Sequence, residues 1–157
     1  MKAEHQSYLE QYFQTLPQDQ CIGSIPVIAE YFCGDEWNAN ECARLVLEGI
    51  KTATCSLKAA YKLEGEALAQ VGQLMIVLNW DEVPVCIIET TSIKQIPFNQ
   101  VSENFAFAEG EGDRSYRGWH FAHTNFFKSV CDELGIKWSE DMELVCERFK
   151  VVYRSDK

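Results

Sequence analysis

Residues 74–91 read LMIVLNWDEVPVCIIETT, two apolar runs joined by an acidic dipeptide. The first run, residues 74–80, is typical of a buried strand, and Asp81-Glu82 is typical of the turn that follows one. Residues 83–91 then return as the partner strand. The stretch therefore predicts an antiparallel hairpin in the middle of the chain.

Other segments on both sides of this hairpin have helical or extended patterns. Apolar side chains at helical spacing predict three helices, over residues 2–14, from Asn38 or Asn40 to Glu48, and over 116–134. Extended patterns predict strands within residues 50–57 and 142–153. Together these elements predict an α+β fold built on a mostly antiparallel sheet or a small β-barrel.

The composition restricts the class of protein. The chain has 157 residues, 46% of them hydrophobic, which is enough for one globular domain with its own core. There is no apolar window of membrane-spanning length and no secretory signal, so we expect a cytoplasmic protein with no membrane partner. The net charge of −10 disfavours extensive binding to a nucleic-acid duplex, because such binding depends on neutralising phosphates.

The seven cysteines indicate reduced thiols that fill a core. Their number is odd, no two stand in a Cys-x-x-Cys pair, and the chain has no secretory signal. His120 and His123 are three residues apart on a predicted helix, but nothing around them matches a zinc-protease pattern. The sequence also lacks a phosphate-binding loop and a dinucleotide fingerprint. We therefore expect neither a metal nor a cofactor.

Two segments contain candidate catalytic groups. Lys51 and Thr54 are three residues apart where a predicted helix is followed by a strand, so that a lysine is available to activate a hydroxyl. Residues 103–113 contain four acidic side chains beside two glycines, and glycine lets a carboxylate approach a ligand closely. A solvated acidic loop would give the same pattern. Glu89 ends an apolar run, which is typical of a buried, paired carboxylate or of a site residue.

Four blocks of sequence, taken in order, resemble the ASCH domain, a member of the PUA-like superfamily. They are GIKTATCSL at 49–57, CIIETT at 86–91, EGEGD at 109–113 and VCERF at 145–149. The narrower resemblance is to the longer bacterial ASCH subgroup. It covers about residues 30–153, so it implies a single domain over 1–157 with an N-terminal helical extension at 1–29. The fold that it implies is a small β-barrel ringed by helices.

The resemblance also implies an activity. Compact bacterial members similar to N4-acetylcytidine amidohydrolase remove the acyl group from N4-acylated cytidine, which gives a modified nucleoside as the expected small-molecule partner. Their Lys, Thr and Glu triad corresponds here to Lys51, Thr54 and Glu109, and Glu111 is the competing acid. Five residues are candidates for substrate binding. They are Ser56, Tyr61, Glu89, Glu111 and Trp119.

Two other functions remain open. Other ASCH proteins bind RNA or cleave single-stranded RNA, and a third possibility is a non-catalytic pocket that binds a modified base. The family pattern usually has Arg two residues after the Thr, whereas this chain has Ser56 there. That change weakens a phosphate-binding role at this position. The sequence says nothing about the oligomeric state.

Overall fold

A computed structural model describes residues 1–20 and 25–156, and it has an α+β fold. The helices are α1 (Ala3–Gln14), α2 (Glu36–Leu47), α3 (Lys58–Glu64), α4 (Glu103–Glu109) and α5 (Tyr116–Leu134), with a 3-10 turn at Phe98–Gln100. The strands are β1 (Val27–Glu30), β2 (Ala53–Leu57), β3 (Leu74–Leu78), β4 (Pro84–Pro97) and β5 (Glu143–Tyr153). In the described part of the chain they form one sheet in the order β1-β3-β4-β5-β2.

The chain divides into two compact units, each assembled from separate segments. The first unit comprises residues 1–49, 71–91 and 149–157, and the second comprises residues 50–70 and 92–148. The long strands β4 and β5 each contribute residues to both units.

In the first unit, β3 is buried on both of its faces. Leu74, Ile76 and Leu78 pack in one cluster with the aromatic face of α1, while Val77 packs in another with α2. Since successive side chains of a strand point to opposite faces, both faces of β3 must be apolar. This double burial explains the uninterrupted run LMIVL, and it leaves little polar surface on the strand.

In the second unit, the helices α4 and α5 pack with β2 around an aromatic core. Phe98, Phe105, Trp119 and Phe127 are buried there, and Phe98 stacks on Trp119 with a ring-centroid distance of 5.3 Å. Both helices begin at serine caps, because the side chains of Ser102 and Ser115 accept hydrogen bonds from the first turn. This core supports the candidate site.

The predicted central hairpin is confirmed. β3 and β4 pair antiparallel, with the turn at Asn79–Glu82. One expectation needs correction, because the strand Val27–Glu30, which pairs with β3 in parallel, begins inside the segment 1–29 expected to be helical. The sheet of the described strands is open, so the expected barrel is not confirmed.

Two further observations concern the composition. None of the helices formed by the described residues combines the length and the apolar character that a membrane crossing demands. Of the seven cysteines, Cys42, Cys86, Cys131 and Cys146 are buried as expected, Cys55 is half-buried and Cys33 is exposed. Cys21 lies outside the described residues.

Candidate active site

Close backbone packing brings the two candidate segments together. The Thr52 amide donates to the Ala108 carbonyl at 2.8 Å, which joins the start of β2 to the end of α4. Gly110 follows α4 with φ +73°, and a Cβ atom there would lie 2.5 Å from the Ile50 carbonyl oxygen. Only glycine fits both the left-handed backbone and this approach. As a result, Lys51 lies beside residues 109–111.

Lys51 is buried among oxygen atoms. Its Nζ lies 2.9 Å from Glu111 Oε2, 3.4 Å from Glu109 Oε1 and 2.9 Å from the Ala53 carbonyl oxygen. Lys51 and Glu109 are each 2% exposed, whereas the Glu111 side chain is 32% exposed. A buried charge requires such pairing, because an isolated one is strongly destabilising. Of the two carboxylates that contact Lys51, Glu111 is the one that faces solvent.

The second carboxylate oxygen of Glu109 has its own polar neighbours. Trp119 Nε1 donates to Oε2, His123 Nε2 lies 3.2 Å from it, and the Cys55 thiol donates to it at 3.3 Å. Burial alone would raise the pKa of Glu109, but the charge of Lys51 and the His123 and Trp119 hydrogen bonds lower it to about 2. Glu109 is therefore ionised at neutral pH.

His123 and Cys55 take their protonation states from the same carboxylate. Burial lowers the pKa of His123, but the hydrogen bond to Glu109 outweighs this effect, so the net pKa is raised. Burial and the Glu109 charge together raise the pKa of Cys55 well above its ordinary value, so Cys55 is a thiol at neutral pH. The site thus holds a lysine and two carboxylates, with hydrogen-bond donors around the buried one.

The structure brings together four of the predicted residues: Lys51, Glu109, Glu111 and Trp119. Thr54 is half-buried on β2 opposite Glu147 of β5, and strand alternation places it on the face opposite to Cys55.

The other predicted substrate-binding residues have different partners. Ser56 is 2.7 Å from the Tyr61 hydroxyl, and Glu89, in the first unit, is 3.3 Å from Lys150.

Cys55 and His123 are site residues that the sequence analysis did not select. The four-residue spacing of Trp119 and His123 puts both on one face of α5, and their rings stack at 4.6 Å. His120, the histidine three residues before His123, instead lies 3.6 Å from Glu140. The sequence signal for this pair is a tryptophan and a histidine at positions i and i+4 of an aromatic helix.

A surface cleft of about 670 Å³ lies elsewhere in the second unit, between α4 and α5. The Arg114 guanidinium lies 3.6 Å from the centre of the Phe107 ring and donates to the carbonyls of Phe107 and Ile50. Arg117 and Tyr116 also line the cleft. It offers positive charge and aromatic surface, the combination that binds single-stranded nucleic acid.

Comparison with known proteins identifies the family. The ASCH domain family model matches residues 28–153. The crystal structure of an ASCH domain from Lactobacillus crispatus JV V101 is 51% identical, covers 98% of this chain and 97% of that chain, and has a TM-score of 0.94. A protein from Enterococcus faecalis V583 is 32% identical over 100% and 97% of the two chains, with a TM-score of 0.84. No curated protein matches. This chain is a member of the ASCH domain family.

Proposed function

We propose that this protein is an amidohydrolase that removes the acyl group from N4-acylated cytidine, giving cytidine and acetate from N4-acetylcytidine. The observation that supports the proposal is the buried contact between Lys51 and Glu109, two residues of the Lys-Thr-Glu pattern. A lysine in such surroundings can accept a proton from a hydroxyl and can also stabilise a developing negative charge. Both are useful in acyl transfer.

In the proposed reaction, Thr54 is the nucleophile. This role comes from the family resemblance alone, because strand alternation places Thr54 on the face of β2 opposite to Cys55, which contacts Glu109. Its hydroxyl oxygen forms a bond to the acyl carbonyl carbon while neutral Lys51 accepts the hydroxyl proton. Collapse of the tetrahedral intermediate breaks the carbon–nitrogen bond, and the proton passes from Lys51 to the departing N4 amine. Water then cleaves the acyl–threonine ester and releases the acid. Backbone N–H groups near Thr54 would bind the oxyanion.

The two carboxylates have separate roles in this proposal. Glu109 orients Lys51 from the buried side, and the 3.4 Å separation between Lys51 Nζ and Glu109 Oε1 supports that role. Glu111 lies 2.9 Å from the same nitrogen and is partly exposed, which supports a role as acceptor of the proton that leaves Lys51 before the attack. The proposal therefore includes Glu111 as a proton acceptor.

The direct test is chromatography of N4-acetylcytidine incubated with the parent protein and with variants. We expect Lys51→Met and Thr54→Val to lower turnover by about 10³-fold, and Thr54→Ser to retain part of it. Lys58→Met is the matched control, because Lys58 also forms an ion pair but is exposed. Absence of turnover by the folded parent would overturn the proposal. Full activity of Thr54→Val would remove Thr54 from the mechanism.

The second candidate function is binding or cleavage of single-stranded RNA, and the cleft beside Arg114 is the observation in its favour. Phosphate contacts make RNA affinity fall steeply with salt, whereas turnover of a neutral nucleoside is insensitive to salt. Affinity of a labelled oligonucleotide for the parent and for Arg117→Ala at two salt concentrations distinguishes the candidates. Only an RNA-binding cleft predicts a weaker variant with a smaller salt slope.

A further inference from the structure

Three side chains with metal-binding atoms meet in the buried part of the candidate active site. Cys55 lies on β2, Glu109 at the end of α4 and His123 on α5, and one ligand atom from each lies within 4.8 Å of the other two. Glu109 Oε2 is the common point, 3.3 Å from Cys55 Sγ and 3.2 Å from His123 Nε2. We propose that Cys55, Glu109 and His123 bind one Zn²⁺ ion.

Two of the three separations between these atoms, those to Glu109 Oε2, suit one small ion, and the third, between Cys55 and His123, is at most 4.8 Å. Zinc binds oxygen and nitrogen at about 2.0–2.2 Å and sulfur at about 2.3 Å, usually in a tetrahedral arrangement. At the tetrahedral angle, ligand atoms around such an ion are about 3.2–3.8 Å apart. The two contacts to Glu109 Oε2 fall within or close to this range. An ion could therefore replace the hydrogen atoms now shared among these groups with only small movements of the side chains.

The surroundings of His123 favour a metal ligand. Its Nδ1 lies 2.9 Å from the Trp119 carbonyl oxygen, so a proton on Nδ1 is satisfied and Nε2 faces Glu109 and Cys55. Metal-binding histidines usually donate their other ring nitrogen to a carbonyl or a carboxylate in this way, which fixes the ring and its tautomer. The stacking of His123 on Trp119 holds the ring in the same orientation.

The local charges can also accommodate a divalent cation. Lys51 is the cation beside Glu109, and it is already paired with the Glu111 carboxylate at 2.9 Å. When Cys55 is a thiolate, it carries three negative charges together with the carboxylates of Glu109 and Glu111. Lys51 and a zinc ion carry three positive ones. The ion therefore does not leave an unbalanced charge in this buried position.

The chemical types of the three ligand atoms determine which metal ion is favoured. A thiolate and an imidazole favour zinc over magnesium or calcium, which prefer oxygen ligands alone. Three protein ligands leave a fourth position for water or another ligand. Because the ion would engage the carboxylate that contacts Lys51, we expect bound zinc to change the activity of the site. Binding itself does not depend on the proposed hydrolysis and is measured without substrate.

The test uses the full chain, stripped of metal with a chelator and titrated with Zn²⁺ by calorimetry and with Co²⁺ by absorbance. The expected results are one ion per chain and a cobalt spectrum with thiolate charge-transfer and tetrahedral bands. Cys55→Ser should abolish the charge-transfer band, and His123→Gln should weaken binding at least about tenfold. Cys131→Ser and His120→Gln are matched controls on the same helix as His123 and should bind like the parent.

Two results would overturn the proposal. One is a parent protein that binds no zinc stoichiometrically. The other is a Cys55→Ser variant that retains the thiolate band, since other cysteines would then hold the ion. If a variant fails to fold, a zinc-edge anomalous map from crystals of the parent decides the matter. The peak must lie between Cys55, Glu109 and His123.

Discussion

Replacing Glu109 with glutamine removes the buried negative charge while almost preserving the shape of the side chain. Lys51 Nζ would keep Glu111 at 2.9 Å and the Ala53 carbonyl, but it would lose the partner that is buried with it. Glu111 is partly exposed, so solvent screens its interaction more strongly. We expect Glu109→Gln to lower the free energy of unfolding substantially and Glu111→Gln to lower it much less.

The magnitude follows from the burial of the two partners. Removing one member of a buried ion pair costs about 3–5 kcal/mol, and the remaining Glu111 contact offsets part of this, leaving about 2–4 kcal/mol. Glu111→Gln should cost about 1 kcal/mol, near the upper end for exposed pairs. Removing Lys51 as well should restore stability, because the uncompensated charge is then gone. The double variant Lys51→Met/Glu109→Gln should therefore be more stable than Glu109→Gln alone.

The assay is urea unfolding of the chelator-treated protein, followed by circular dichroism and tryptophan fluorescence, with the slope of the transition checked for constancy. Glu143→Gln is the matched control, because Glu143 pairs with Lys58 at an exposed position. A Glu109→Gln variant that is no more destabilised than Glu143→Gln would contradict this expectation. A double variant Lys51→Met/Glu109→Gln that is less stable than Glu109→Gln alone would contradict it as well.

Three further outcomes follow from other residues. Gly110→Ala should lower the free energy of unfolding by about 3 kcal/mol or more in the same urea assay, because strain at φ +73° and a clash with the Ile50 carbonyl act together. Gly112→Ala should cost about 1 kcal/mol, since nothing lies near its Cβ position. Burial raises the pKa of Tyr8 above 10.0, so its contribution to stability is complete below pH 10 and is lost as the pH rises through the higher folded value. Burial also raises the pKa of Tyr12, so alkaline absorbance titration should show a late phenolate signal from both residues. Tyr8→Phe should reduce this late signal by one phenolate, and an undiminished late signal in that variant would contradict the assignment. Burial raises the pKa of Cys86 to about 12, so peptide mapping after alkylation at pH 8 should find Cys86 unmodified in the native protein while the exposed Cys33 reacts.

Much of the fold follows from local patterns. Helix α5 begins at Tyr116 and ends at Leu134 as predicted, because a serine cap precedes it and Gly135 ends it. Strand β1 has only four residues, too few for its pattern to be distinguished from a loop. Helix α4 has seven residues and ends in the acidic glycine-rich segment. Because acidic residues beside glycines are also typical of a solvated loop, no helix is predicted there. Short elements depend on tertiary packing that a local pattern does not contain.

The candidate site was only partly predictable for the same reason. Family resemblance indicated Lys51 and Glu109, which lie in contact although 58 residues separate them. Nothing local connects Cys55 to Glu109, because that contact depends on how β2 packs against α4 and α5. The spacing of Lys51 and Thr54 suggested that they act together. It did not show which face of β2 the threonine occupies, since that depends on the first residue of the strand.

The position of β2 at the end of the strand order has a consequence for the time at which the site forms. Its residues 53–57 pair with residues 144–148 of β5, which follow much later in the chain. During synthesis, the segment that carries Cys55 and follows Lys51 has no strand partner until β5 has left the ribosome. The candidate site would therefore be assembled only after β5 has been synthesised. A nascent chain that has not yet reached β5 would have an incomplete candidate site.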